Sequence, residues 1–396
     1  MLWTPTYLPC NFMIFFQDFS LNLRNELKYF LLPIMKKILL ILSAAFMVLN
    51  VVAAPKKEYK YVDASTFTVA NKAHNNGLVY QRVDTLKYPE LTPQQKKYLN
   101  FSTGIGLRFS TNSPNIRAKW TQHDQATRAN SPAIASNGLD LYIKDKEGKW
   151  LFAGVAYPKI GKKEATYNLV EDMDGQWKEC MIFLPLFTTI DKLEIGVLKD
   201  SEIKSDGGFT RAPIVAMGSS YTHGAASSRP GMPWPAQLSR RLGLDIANFG
   251  TSGICKLEPG LAHIIADTDA DMFIFDGFSN PSAKEIRERL PEFVKIIRKA
   301  HPDTPLVFLQ TFYRENSNFN LKKRKFEEEK RAAASEEMKK LMANDKNLYF
   351  LDPGLYAGDD HESSADGVHP TDMGYQRAVD NIEPHIRKIM AKYNIK

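Results

Sequence analysis

The run Ile214-Val215-Ala216-Met217, followed at once by Gly218-Ser219-Ser220-Tyr221-Thr222-His223-Gly224, decides how the carboxy-terminal half of the chain must fold. Four apolar residues without polar alternation predict a strand buried on both faces, and the glycine and hydroxyl residues behind them predict a tight turn at its end. A helical pattern then spans Pro233 to Leu242. The same alternation recurs four times: Ile246 to Phe249 before Glu258 to Ala266, Met272 to Phe275 before Ala283 to Lys299, Leu306 to Gln310 before Leu321 to Met342, and Leu348 to Leu351 before Met373 to Met390. Five strand-helix units in succession predict an α/β fold, a parallel sheet with helices on both faces. In such sheets functional groups gather beyond the carboxyl ends of the strands. The helix from Leu321 is rich in Lys, Glu and Arg and is expected to be a solvated surface element.

The residues beyond those strand ends carry the chemistry. They are Gly218 to Gly224, then Asn248-Phe249-Gly250-Thr251-Ser252-Gly253, then Asp276-Gly277-Phe278-Ser279-Asn280, and, before the last helix, Asp366-Gly367-Val368-His369-Pro370. A serine hydroxyl is a weak nucleophile until a base removes its proton, and an imidazole suits that task at neutral pH. His369 is the candidate base. Asp366, three residues earlier, is placed to accept from Nδ1–H, which fixes the tautomer and stabilises the cation formed during attack.

The four clusters, in this order, resemble the blocks of the SGNH hydrolases, also called GDSL lipases and esterases. The resemblance spans roughly the last 185 residues. It implies a flavodoxin-like, doubly wound sheet, with Ser220 as nucleophile, Asp366 and His369 completing the catalytic set, and an oxyanion hole built from the backbone N–H groups of Ser220 and Gly253 and the Asn280 amide. A glycine at 253 is expected to let the loop amide approach the oxyanion without a Cβ in the way. The first block departs from the family's Gly-Asp-Ser form, because Ser219 stands where the Asp would be, and Ser219 is the alternative nucleophile. Taken singly, each element has a structural reading: Ser220 as a helix cap, Asp366 as a turn residue, Asn280 as the cap of the helix that follows.

The remaining histidines show no ligand spacing. His223 lies beside the nucleophile loop, as pocket lining or as a satisfied loop residue; His263, His301 and His385 fall on or just after helices; and His74, His123 and His361 fall in polar stretches. With no His-Glu-x-x-His and no paired Cys motif, neither metal nor other cofactor is expected. Cys255 is read as loop filler. Cys180 and Cys255 lie in different domains, and their spacing does not suggest a disulfide.

Residues 55–205 read differently. Ile105 to Ser110, Leu139 to Ile143, Trp150 to Ala156 and Leu193 to Val197 are short and β-branched or alternating, with turn signals between them such as Asn112-Ser113-Pro114. They predict an all-β sandwich, joined through the linker Asp206-Gly207-Gly208 to a domain over 209–396. Gly138-Leu139-Asp140-Leu141-Tyr142 resembles the Gly-x-Asp-Leu-Tyr motif of the β-sandwich module that precedes SGNH domains in many exported Bacteroidetes-type proteins.

Met35-Lys36-Lys37, the apolar run Ile38 to Val52, and Ala53-Ala54 read as a secretory signal over 35–54, with translation expected to start at Met35 and residues 1–34 upstream of that start. The run is too short for a spanning helix, so cleavage and a periplasmic or secreted location, without a stable membrane anchor, are expected. The 396 residues carry a formal charge of +7, yet Lys and Arg are interspersed with acids, which excludes the basic stripe a nucleic-acid binder needs. The resulting expectation is an exported serine carboxylic ester hydrolase acting on a small-molecule or glycan ester, first of all a carbohydrate O-acetyl esterase. A lipid esterase, lysophospholipase or thioesterase is the alternative, with Met232, Trp234 and Phe278 available for an acyl pocket. A noncatalytic glycan-binding protein is the alternative of another class.

Overall fold

In a computed structural model, Ile214–Gly218 (β12), Ile246–Gly250 (β13), Met272–Asp276 (β14), Leu306–Leu309 (β15) and Leu348–Leu351 (β16) form one parallel sheet in the order β13-β12-β14-β15-β16. Its side chains divide with period two. Val215, Met217, Phe249, Phe273, Phe275 and Phe308 face one apolar layer, and Ile214, Ala216, Ile246, Met272, Ile274 and Val307 face the other. Burial on both faces explains the unbroken apolar runs in the sequence. The first layer is closed by Pro259–Ala266 (α6), Ala283–Ala300 (α7) and Leu321–Met342 (α8), through residues such as Leu261, Ile286, Leu290, Phe293 and Met338. Trp234–Leu242 (α5) and Asp372–Tyr393 (α9) close the second through Trp234, Leu238, Tyr375, Val379 and Ile386. Strand order 2-1-3-4-5 in this half is that of a doubly wound, flavodoxin-like sheet.

The charged helix α8 is not solvated all round. It buries a stripe of Lys330, Ala333, Ala334, Glu337 and Met338. Lys330 is wholly buried, pairs with Glu327 at 2.5 Å and donates to Ser279 O at 3.2 Å, and burial lowers its pKa to about 8.

The amino-terminal strands are β1 (Tyr59–Asp63), β2 (Thr68–Lys72), β3 (Gly106–Thr111), β4 (Ile116–Gln122), β5 (Leu139–Lys144), β6 (Trp150–Ala156), β7 (Glu164–Val170), β8 (Lys178–Phe183), β9 (Ile190–Leu198), β10 (Ile203–Lys204) and β11 (Phe209–Arg211). One sheet runs β1-β9-β4-β7 and the other β11-β2-β3-β8-β5-β6, with β10 on β3. Phe67, Leu107, Phe109, Trp120, Leu141, Ile182 and Ile195 fill the space between them, so this half is a sandwich. The helices Pro93–Asn100 (α2) and Ala133–Asn137 (α3) lie in its connections. The segment read as a linker is tied down: Val69 N–H donates to Gly208 O at 3.0 Å, and β11 then pairs in parallel with β2. Contacts join residues 58–396 into one compact unit.

The structure describes residues 28–40, 57–352, 354 and 357–396. Residues 28–40 form a helix (α1), described by itself; most of the expected signal, 41–54, and residues 1–27 lie outside the described residues. No helix among those described is long and apolar enough to cross a membrane.

One buried base gives the fold a pH dependence. The His74 ring stacks on Phe249, and its Nε2 lies 3.1 Å from the hydroxyl of Thr268, which itself donates to Ile264 O. Burial, helped by the charges of Lys72 and Lys87, lowers the His74 pKa to about 4. The unfolded chain therefore binds a proton below pH about 6.5 that the folded chain refuses until about 4. The stabilising difference is complete above that window and falls as the pH drops through it, by on the order of 3 kcal/mol in all. His74→Gln should flatten this acid limb; equal shifts of the urea midpoint between pH 7 and 4.5 in both proteins would refute it.

Candidate active site

The parallel register levels Gly218 with Gly250 and with Asp276, so the first three clusters emerge side by side at one edge of the sheet. Gly218 is required by close approach, because a Cβ there would sit 2.4 Å from Thr222 Oγ1 and 2.8 Å from Asp276 Cβ. Ser219 then caps a single helical turn, Ser220–His223 (α4), by accepting from Tyr221 N–H at 3.1 Å. That turn projects Ser220 Oγ toward His369, whose Nε2 lies 3.0 Å away. His369 Nδ1 is 2.8 Å from Asp366 Oδ2, while Asp366 Oδ1 accepts the backbone N–H groups of His369 at 2.8 Å and Val368 at 3.0 Å. Local turn geometry, with Gly367 at φ +80°, thus holds base and carboxylate together, and Thr371 caps α9 directly behind them. Burial raises the Asp366 pKa, but the His369 backbone N–H, the Asn130 amide and the His369 ring outweigh it and hold the carboxyl well below the usual range.

Ser219 does not reach the imidazole. Its hydroxyl donates to Asp276 Oδ2 at 2.5 Å, and its N–H donates to the same oxygen at 3.1 Å. Asp276 is buried and also accepts from Thr222 Oγ1 at 3.2 Å and Ser279 Oγ at 2.5 Å, tying the first cluster to the third. Burial pushes its pKa up against these bonds. The geometry gives a reason for the departure from Gly-Asp-Ser: an Asp at 219 would bring a second carboxylate against Asp276 without a cation between them.

Asn280 Nδ2 is buried and has no hydrogen-bond partner among the described residues, a free donor in the third cluster. Its reading as a helix cap falls away because Ser282 caps α7, accepting from Glu285 N–H at 3.2 Å. Gly253 has φ +79°, and a Cβ there would meet no described atom within 4 Å. The glycine therefore answers a left-handed backbone rather than crowding. His223 is fully buried, stacked on Phe187 at 4.3 Å, with its ring nitrogens on Gly250 O and Leu186 O, so it is structural. His263 pairs with Glu90, His361 with Glu315 and His123 with Asp191, while His301 meets Ile265 O. Cys180 and Cys255 are free, buried thiols.

The sequence reading assigned no role to three residues that the structure brings to this edge. Asn130, on the loop between β4 and β5, reaches Asp366 and His369. Arg82, buried, donates to Asn248 O and Gly250 O at the end of β13. Asp140 of the Gly-x-Asp-Leu-Tyr motif accepts from Gly231 N–H at 2.8 Å and pairs with Arg229 at 2.9 Å, gripping the loop behind α4. The motif carried a signal for the last; no local pattern marks the other two.

Residues 211–387 match the model of the GDSL-like lipase/acylhydrolase family, and residues 59–203 match the GxDLY module described as the N-terminus of SGNH-hydrolase-type esterases. A crystal structure from Bacteroides ovatus, of a protein classed as a GDSL-like lipase, is 43% identical, covering 84% of this chain and 98% of its own, with a TM-score of 0.80. The chain belongs to the GDSL-like lipase/acylhydrolase family. Two more distant structures share the fold of this SGNH protein. The salicylyl-acyltransferase SsfX3 of a tetracycline biosynthetic pathway is 19% identical over 85% of this chain and 98% of its own, with a TM-score of 0.62. A family two carbohydrate esterase from Cellvibrio japonicus is 13% identical over 85% and 99%, with a TM-score of 0.55. No curated protein matches the sequence.

Proposed function

We propose that this SGNH protein is a serine esterase that removes short acyl groups, first of all O-acetyl groups from carbohydrate, outside the cytoplasm. The observation that carries the reading is the continuous chain from Ser220 Oγ through His369 to Asp366, at 3.0 and 2.8 Å. Ser220 Oγ attacks the acyl carbonyl as its proton passes to His369 Nε2, while Asp366 stabilises the imidazolium. The oxyanion is met by the backbone N–H groups of Ser220 and Gly253 and by Asn280 Nδ2. His369 returns the proton to the leaving alcohol, then activates the water that releases the acid. Asn280→Ala should lower kcat by about 10²- to 10³-fold with KM little changed, and an unaltered kcat would remove Asn280 from the oxyanion site.

The short-acyl preference rests on where the apolar residues went. Phe278 and Trp234 are buried in the two core layers, and Met232 packs on Tyr142 of the sandwich, so none of the three is left to line a long acyl channel. The carbohydrate esterase with the same fold makes acetylated polysaccharides the first substrates to try. The purified protein should release acetate from such a polysaccharide and should lose activity steeply from p-nitrophenyl acetate to the octanoate. Activity rising with chain length would replace this reading by a lipid esterase. Export is read from residues 35–54 and predicts a mature amino terminus just after Ala53 or Ala54.

A further inference from the structure

We infer that Asn130, supplied by the β-sandwich half, is a positioning residue for the Asp366–His369 pair. Its Nδ2 donates to Asp366 Oδ2 at 2.9 Å and lies 3.2 Å from His369 Nδ1. Two donors, the amide and the imidazole N–H, therefore converge on one carboxylate oxygen. With Oδ1 occupied by two backbone N–H groups, both Asp366 oxygens are held at fixed angles, and the ring is held with Nε2 toward Ser220. The amide has a second, electrostatic effect. It shares the negative charge that Asp366 would otherwise give wholly to the imidazolium, and it points the positive end of its own dipole at Nδ1. Among the described residues, the titratable groups in contact with His369 are Asp366 on its own loop and Tyr221 from α4, with Arg314 bonded to the Tyr221 hydroxyl, and Asn130 and Ser220 are neutral polar groups beside it.

The loop that bears Asn130 is built to hold it there. Asn137 bonds Ala126 through both N–H and C=O at 2.8 Å, and Gln125 bridges Lys159 O, Lys162 O and Gly161 N–H, each at 2.8 Å. Arg128 lies over the Phe187 ring at 4.1 Å, and Ser131 Oγ accepts from Ala226 N–H at 3.0 Å, just past α4. One segment of the sandwich is thus fastened to its own half at 125 and 137 and to the candidate nucleophile loop at 131, with Asn130 between. On this inference the sandwich is part of the catalytic apparatus, not a separate binding module.

The inference rests on the esterase reading, and the two fail separately. Asn130→Ala and Asn130→Asp are compared with wild type in the pH profile of kcat/KM for p-nitrophenyl acetate, in the pH dependence of Ser220 labelling by a fluorophosphonate, and in urea midpoint. Asn130→Ala should lower kcat about 10- to 100-fold with KM changed far less. The acid limb should move up in both variants, and further in Asn130→Asp, which places a carboxylate where the amide stood. The labelling profile should move with it, and the urea midpoints should stay close to wild type. Variants with wild-type kcat and unmoved acid limbs, in a protein whose wild type hydrolyses the ester, overturn the role of Asn130 alone. A fall in kcat with unmoved limbs and a lowered midpoint makes Asn130 merely structural and also overturns it. A wild type that neither hydrolyses ester nor takes the label overturns the esterase reading and this inference with it.

Discussion

Ser220→Ala should lower kcat for p-nitrophenyl acetate by about 10⁴-fold or more while leaving the fold intact. The hydroxyl is the one group on α4 within hydrogen-bond reach of His369 Nε2, and an alanine leaves the imidazole with no proton to take. Alanine also suits the first position of a helical turn, and the cap supplied by Ser219 to Tyr221 N–H is untouched, so the urea midpoint should hardly move. Ser219→Ala is the contrasting change. It removes the hydroxyl bonded to Asp276 and the cap of α4, so its first effect should be a loss of about 1–2 kcal/mol of stability rather than of the chemistry. A Ser220→Ala protein that keeps wild-type activity would exclude Ser220 as nucleophile.

Arg82→Leu should be the most destabilising of the changes considered, by about 3–5 kcal/mol in urea unfolding. The guanidinium is buried, and its fork donates to Phe101 O at 3.1 Å, Asn248 O at 2.6 Å and Gly250 O at 3.1 Å, and to Tyr98 O. Burial lowers its pKa to about 9, which leaves it protonated at neutral pH, solvated by carbonyl dipoles. Leucine fills most of the volume but strands four acceptors in a dry site, whereas a lysine keeps the charge and lacks the fork. Arg82→Lys should therefore recover only part of the loss. Because Gly250 leads into the loop of Gly253, kcat should fall in both variants below the temperature at which they unfold. An unchanged midpoint in Arg82→Leu would refute the account.

Much of this site was legible along the chain. Ser220, Asp366 and His369 were legible because each lies in a local pattern, an apolar run ending in glycine and serine and a carboxylate three residues before a histidine in a turn, while the fold brings Ser220 to His369 across 149 residues. Asn280 was legible as a residue at a strand end, and the structure adds that its Nδ2 is buried and has no hydrogen-bond partner among the described residues. Phe278 and Trp234 were misplaced as pocket candidates because composition does not say which face of a loop or of a helix end packs inward, and the core took both. The Asp206-Gly207-Gly208 segment read as a linker from its glycines, yet Gly207 and Gly208, at φ +67° and +76°, turn the chain back into pairing with β2.

By itself the sequence determined the strand-helix alternation, the edge of the sheet at which the polar clusters emerge, and the order of those clusters, since periodicity and turn chemistry act over a few residues. Only the tertiary structure decided that the two halves build one site. Asn130 lies 236 residues from Asp366, and Arg82 lies 166 residues from Asn248, and a single side chain carries no mark of a partner at that distance. Such contacts arise when the sandwich packs against the sheet edge: Arg82, buried there, must find acceptors without water, and Asn130 reaches Asp366 at the part-open rim of the site.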